Sequence, residues 1–209
     1  PEAVEWARAH AASAIVADDD VKRAIHDLVV AAQAEGVTVD ALARQVREII
    51  GLDPRRASAL RRFEAALKDR GLSAAKLEAR AERYANALRR QRALTIARTE
   101  TIGAVNGGQE ALWQQGVAQG LIDPKTLGKR WIVTDDEILC PICEALGDDE
   151  TVVPIGEAFP GGFAHPPAHP NCRCAVGLAR FTETSPSALP TPETAIDTMA
   201  VYTNAQGKF

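Results

Sequence analysis

The chain has 209 residues, 46% of them hydrophobic and 25% charged, with a net charge of −4, values usual for a soluble globular protein of one or two domains. No apolar run reaches the roughly 18 residues that a membrane span needs, so no membrane association is expected. No secretory signal is visible, and a chain that starts at Pro1 with Met199 as its only methionine reads as a processed product or an excerpt.

The first 120 residues read as helices with clear punctuation. Asp20 is a candidate cap for "VKRAIHDLVVAAQAEG", which Gly36 stops. Thr38 or Asp40 opens the next helix, with Leu42, Val46, Ile49 and Ile50 expected on one face. Asp53-Pro54 is a cap followed by proline at the first helical position. The helix after it spaces Leu60, Phe63 and Leu67 three and four residues apart and closes at Gly71. Ser73 starts a helical stretch from about 74 to about 118, in which Asn106-Gly107-Gly108 is the expected kink or break.

After Gly120 the texture changes. "KRWIVT" (129–134), "TVVPI" (151–155) and "CRCAVGLA" (172–179) read as three short strands, with Pro154 favouring an edge. From Thr182 the chain is rich in Thr, Ser, Pro and Ala and is expected to be an extended tail. The fold class is therefore α+β, predominantly α. Its expected parts are a helical region (1–90), a small β-containing knuckle domain (91–180) and the tail (181–209).

Charge is unevenly spread. Residues 40–100 hold fifteen Lys/Arg against eight Asp/Glu, while residues 131–209 hold three against eleven. A basic helical middle is most simply a solvated surface, but it also suits a polyanion or an acidic partner. The overall pI of about 5.6 argues against a free-standing nucleic-acid-binding protein.

All four cysteines fall in two proline-stiffened turns, "LCPICEAL" and "HPPAHPNCRC". A Cys-x2-Cys turn presents two thiolates to one metal, and the second turn offers His169, Cys172 and Cys174. Cys140, Cys143, His169, Cys172 and Cys174 are thus five candidates for the four places of a structural zinc. On a regular strand Cys172 and Cys174 would point to opposite faces, so His169 would replace one of them unless the strand bends. Free buried thiols and two disulfides are the competing readings. His165, a loop histidine between Ala and Pro, is expected to be exposed rather than a ligand.

Enzyme readings find little support. No His-x-Glu precedes the cysteine pair, as a zinc deaminase would require, and no thiol stands apart from the cluster as a nucleophile. Neither a Gly-rich phosphate loop nor a Gly-x-Ser-x-Gly elbow is present. Arg98-Thr99-Glu100 is a three-residue echo of ADP-ribosyltransferases.

"RALTIARTET" (92–101), "KRWIVTDDEILCPICEALGD" and "PPAHPNCRC", in that order, resemble the MuF-like phage head morphogenesis family, the minor head proteins of tailed bacteriophages. The likeness runs from about 92 to 178 and places family motif positions at Arg98, Glu100, Trp131, Asp135 or Asp136, and Arg173. It implies a non-enzymatic virion protein in the phage head, assembled in the host cytoplasm and supporting head assembly and DNA packaging or delivery. Implied partners are the portal protein, the major capsid protein and packaged DNA approached by the arginine-rich helices, and homo-oligomerisation suits the role. Arg98 and Glu100 are expected to bridge the long helix to the knuckle, and Arg173 to meet Glu100 or the acidic run at 134–137. The rival reading is a phage-delivered effector enzyme, a nuclease or an ADP-ribosyltransferase.

Overall fold

The computed structural model describes residues 19–134, 136–147 and 151–181, which form two compact units, one ending at Thr101 and the other beginning at Ile102. The expected tail from Thr182 lies outside the described residues.

The first unit is helical. Helices α1 (Asp19–Glu35), α2 (Val39–Ile49) and α3 (Pro54–Asp69) are followed by α4 (Ala74–Ala118), which belongs to this unit as far as Thr101. Asp20 is itself helical in α1 and pairs with Arg23 rather than capping the helix. Gly36 and Gly71 end α1 and α3 at positive φ (67° and 68°), a conformation that costs glycine little. Thr38 caps α2 by accepting a bond from the Ala41 amide, and Asp53 caps α3 by accepting one from the Arg56 amide at 2.9 Å, with Pro54 at the first position.

The core of this unit is built from Ile25 and Val29 of α1, Leu42 and Val46 of α2, Ile50, Leu67 of α3, and Ala81, Ala85, Ala93 and Ile96 of α4. Each fully buried Leu, Ile or Val contributes about 1.5–3 kcal/mol. Ile49 departs from its expected face and is exposed: α2 ends there, and Ile50, already in extended backbone, takes the buried place. Phe63 and Tyr84 pack with their rings tilted by 39° and centroids 4.5 Å apart.

Asp53 also organises charge. Arg56 and Arg92 both reach its Oδ2, Arg92 at 3.7 Å, and Arg92 donates to the Gly51 carbonyl at 2.7 Å. Burial opposes ionisation of Asp53, but the Arg56 amide and guanidinium and the Arg92 charge outweigh it and hold the carboxyl below its usual range. With its folded pKa depressed, its stabilising effect is complete above the unfolded value and is lost as pH falls through the folded one. Asp53→Ala is expected to cost about 1 kcal/mol for the cap alone. Urea melts across the acid range should also show the variant lacking the step of acid sensitivity that this carboxylate gives the wild type.

The second unit is α+β. The rest of α4 is followed by β1 (Leu127–Ile132), the short helix α5 (Pro141–Leu146), β2 (Val152–Val153), a 3-10 turn (Pro160–Gly162) and β3 (Ala175–Arg180). The strands form one antiparallel sheet in the order β2-β1-β3, which puts β2, next to Pro154, at an edge. Register is set by Lys129 opposite Val153 and by Trp131 opposite Val176. Gly128 is required in β1 because a Cβ there would sit 2.5 Å from the Val153 carbonyl oxygen.

Asn106-Gly107-Gly108 does not break α4, which runs unbroken through all 45 of its residues. The asparagine is buried and spends its side chain on neighbours. Its Oδ1 accepts from the Val176 amide at 2.8 Å, and its Nδ2 donates to the Ile102 carbonyl at 2.8 Å and more distantly to that of Cys174. What reads in sequence as a helix breaker is here the clamp that holds the start of β3 against α4.

Candidate metal centre

Both cysteine turns belong to the second unit, and local structure orients each. Cys140 caps α5 and Pro141 opens it; the Cys143 amide donates to the Cys140 sulfur at 3.3 Å, so the pair points to one side. In the other turn the Cys172 amide donates to the His169 carbonyl at 3.1 Å, and Asn171 takes φ 60°, which asparagine tolerates better than most residues. Strand β3 starts only at Ala175, so the expected strand from Cys172 is shorter than its sequence suggested. Cys172 and Cys174 lie in irregular backbone before it, and both turn inward.

The five donors gather around Cys143. Its sulfur is 3.3 Å from His169 Nε2 and 3.8 Å from Cys172 Sγ, and Cys140 Sγ is 3.0 Å from the same Nε2. The donor atoms of Cys140, Cys143 and His169 lie within 4.8 Å of one another, as do those of Cys143, Cys172 and Cys174. All four thiols are free. Two sulfurs on a tetrahedral zinc stand about 3.8 Å apart, given bonds of about 2.3 Å. A void of about 30 Å³ lined by Cys140, Cys143, His169 and Cys174 gives an ion room. His169 Nδ1 donates to the Pro170 carbonyl at 2.9 Å, which leaves Nε2 as the lone-pair nitrogen facing the sulfurs. The donor set therefore fits a zinc-like ion.

Hydrogen bonds from Cys143 and Cys174 pull the Cys172 thiol down, whereas Cys143, donating to Cys172 and Cys174, is pushed up. Around the thiols packs an apolar shell of Trp113, Trp131, Leu146, Val153, Phe159 and Val176. Trp131 meets Phe159 edge-on at 5.3 Å. Val152 is buried as well, whereas Ile132 is 41% exposed.

The remaining expected residues fall as follows. Arg173 forms a two-pronged pair with Asp136, from the acidic run, and the Thr134 hydroxyl donates to the Arg173 carbonyl at 3.2 Å; together they tie the loop after β1 to the second cysteine turn. Asp135 lies outside the described residues. Arg98 is exposed, with no ion pair among the described residues, and Glu100 is buried. His165 is buried rather than exposed, its Nδ1 against the Pro166 carbonyl, and it joins neither donor group.

Sequence reasoning missed a buried ion pair. Lys129 is fully buried and donates to Glu110 Oε1 at 2.8 Å and to the Ala164 carbonyl at 2.7 Å, with its ammonium 5.2 Å from the Phe159 ring centre. The same Oε1 accepts from the Gly156 amide at 2.8 Å. One signal was available: Lys129 and Trp131 are two apart on a strand and so share its inward face.

Residues 23–177, most of the chain, match the family described as phage Mu protein F like protein. The chain belongs to that family. Neither a curated protein nor a solved structure gives a match. The phage Mu protein F-like family is one of structural head morphogenesis proteins, so this chain is a protein of phage head morphogenesis that associates with other virion components. Among the described residues no helix is long and apolar enough to cross a membrane.

Proposed function

We propose that this chain is a portal-associated minor head protein, without catalytic activity, that supports head assembly and DNA packaging or delivery after assembly in the host cytoplasm. Its knuckle domain, at about 91–180, is held together by one structural zinc. Cys140 and Cys143 supply two ligands, and two of His169, Cys172 and Cys174 supply the others. When bound, the metal would supply cross-linking charge and no reaction. Arg173, with Asp136, fixes the second turn so that its donors face the first.

The observation that carries this reading is the convergence of two turns about 30 residues apart on one buried cluster, in a chain of the phage Mu protein F-like family. The donors, of which Cys143, Cys172 and Cys174 are buried against the Trp131 shell, leave a void of only about 30 Å³, which favours a structural role over a substrate site. Portal protein and major capsid protein are the partners of this reading.

The test is co-assembly. Expressed with portal and major capsid proteins, the tagged chain is expected to sediment with assembled heads and with isolated portal at a few copies per particle. Sedimentation at the top of the gradient, free of both, would overturn the assignment.

A further inference from the structure

Trp131 is almost wholly buried, yet its indole Nε1 meets no oxygen or nitrogen acceptor. A buried tryptophan N–H ordinarily finds a partner, so an orphan of this kind calls for an explanation. The ring is not free to turn and find one. Phe159 meets it edge-on with centroids 5.3 Å apart, and Phe163 does so at 6.2 Å, with interplanar angles of 87° and 64°. In the sheet Trp131 stands opposite Val176, two residues past Cys174. The group that the indole N–H faces is the Cys174 sulfur. That residue is pinned as well. Asn106 accepts from the Val176 amide at 2.8 Å and donates to the Cys174 carbonyl at 3.5 Å, which holds this stretch against α4. Donor and acceptor are thus fixed by separate contacts. Cys174 also borders the void between the two cysteine turns, together with Cys140, Cys143 and His169.

We propose that Trp131 is a positioning residue of the metal centre: its indole N–H donates to the Cys174 sulfur when that sulfur ligates, which makes Cys174 one of the four ligands. The inference rests on the structural-zinc reading and adds to it one ligand and that ligand's outer partner. A neutral thiol is a weak acceptor, whereas a coordinating thiol is deprotonated outright. Ligation therefore turns a poor partner for the indole into a charged one, and charge-assisted hydrogen bonds are roughly twice as strong as neutral ones. Donors of this kind hold a ligand in its orientation and tune the metal through it. Burial adds to the need. Cys174 is only 3% exposed, so water is poorly placed to solvate the sulfur charge in the indole's stead.

The experiment measures the zinc affinity of the whole chain by competition with a chromophoric chelator. The decisive replacement is 3-benzothienylalanine at position 131, which keeps the bicyclic shape of the ring and puts sulfur where the N–H was. Affinity should fall about 10–100-fold, the usual effect of removing an outer partner of a ligand. With cobalt in place of zinc, the sulfur-to-metal charge-transfer band should move to longer wavelength, because the hydrogen bond lowers the sulfur lone pair that supplies the electron. In a Cys174→Ala background, where the other four donors hold the metal more weakly, the same replacement should cost less than about twofold, since its acceptor is gone. A ring that only packed would lower affinity equally in both backgrounds and leave the band in place. Wild-type affinity in the benzothienyl protein, or equal losses with and without Cys174, would overturn the inference and leave the zinc reading standing. A wild type that takes up no zinc would overturn both.

Discussion

Cys143→Ser is expected to abolish stoichiometric zinc and unfold most of the second unit, while α1 to α3 keep their structure. Cys143 is the one residue common to both donor groups, and its sulfur is within 3.8 Å of two other donors. The strands it helps to hold have six, two and six residues, too few to close a core unaided. A structural zinc supplies apparent free energies of about 10–16 kcal/mol in small metallo-domains, more than a typical domain's whole stability. Elemental analysis should therefore give about one zinc per wild-type chain and a small fraction of that in the variant. Near-ultraviolet circular dichroism, dominated here by Trp113 and Trp131 of the thiol shell, should collapse in the variant and on chelation of the wild type. Far-ultraviolet signal from the helices of the first unit should largely persist. Comparing His169→Ala, Cys172→Ser and Cys174→Ser then identifies the third and fourth ligands: a ligand's loss lowers metal content, and the bystander's does not. A metal-free wild type with the same melt and the same near-ultraviolet spectrum would show that the thiols merely pack.

The helices were legible because their caps are local. Thr38, Asp53-Pro54 and the glycines at 36 and 71 act within one turn of themselves, and pattern reasoning needs nothing further away. The two cysteine turns were legible for the same reason. What failed were inferences whose answer depends on a distant neighbour. Asn106 reads as a helix breaker until the Val176 amide, 70 positions on, occupies its side chain. His165 reads as exposed until the Pro166 carbonyl and the surrounding fold bury it. The face on which Cys172 and Cys174 fall is fixed by where β3 begins, and alternation along an assumed strand says nothing about that. Arg173 had two acidic candidates in sequence, and the fold selected Asp136.

Lys129→Met is expected to destabilise the second unit by roughly 3–5 kcal/mol, the usual cost of leaving one partner of a buried pair alone. The Glu110 carboxylate would keep the Gly156 amide and the Gln114 side-chain amide, but its Oε2 already lacks a hydrogen-bond partner, so no reserve donor is at hand. The double variant Glu110→Leu/Lys129→Met removes both charges. It should return to within about 1–2 kcal/mol of the wild type, since apolar replacement of a buried pair is often neutral or better. Glu110→Gln probes the same site by pH. Burial holds the Lys129 ammonium below the ordinary lysine value of 10.5, and the Glu110 hydrogen bond and charge are what limit that shift. Without the carboxylate the folded pKa drops further. Between that value and the unfolded one the unfolded chain binds the extra proton, so the stability of Glu110→Gln must rise with pH across the window, and more steeply than that of the wild type. Denaturant midpoints from pH 7 to pH 10 measure both slopes. Parallel slopes, or single variants no less stable than the double, would mean that Lys129 reaches water in solution and that the sheet does not depend on this pair.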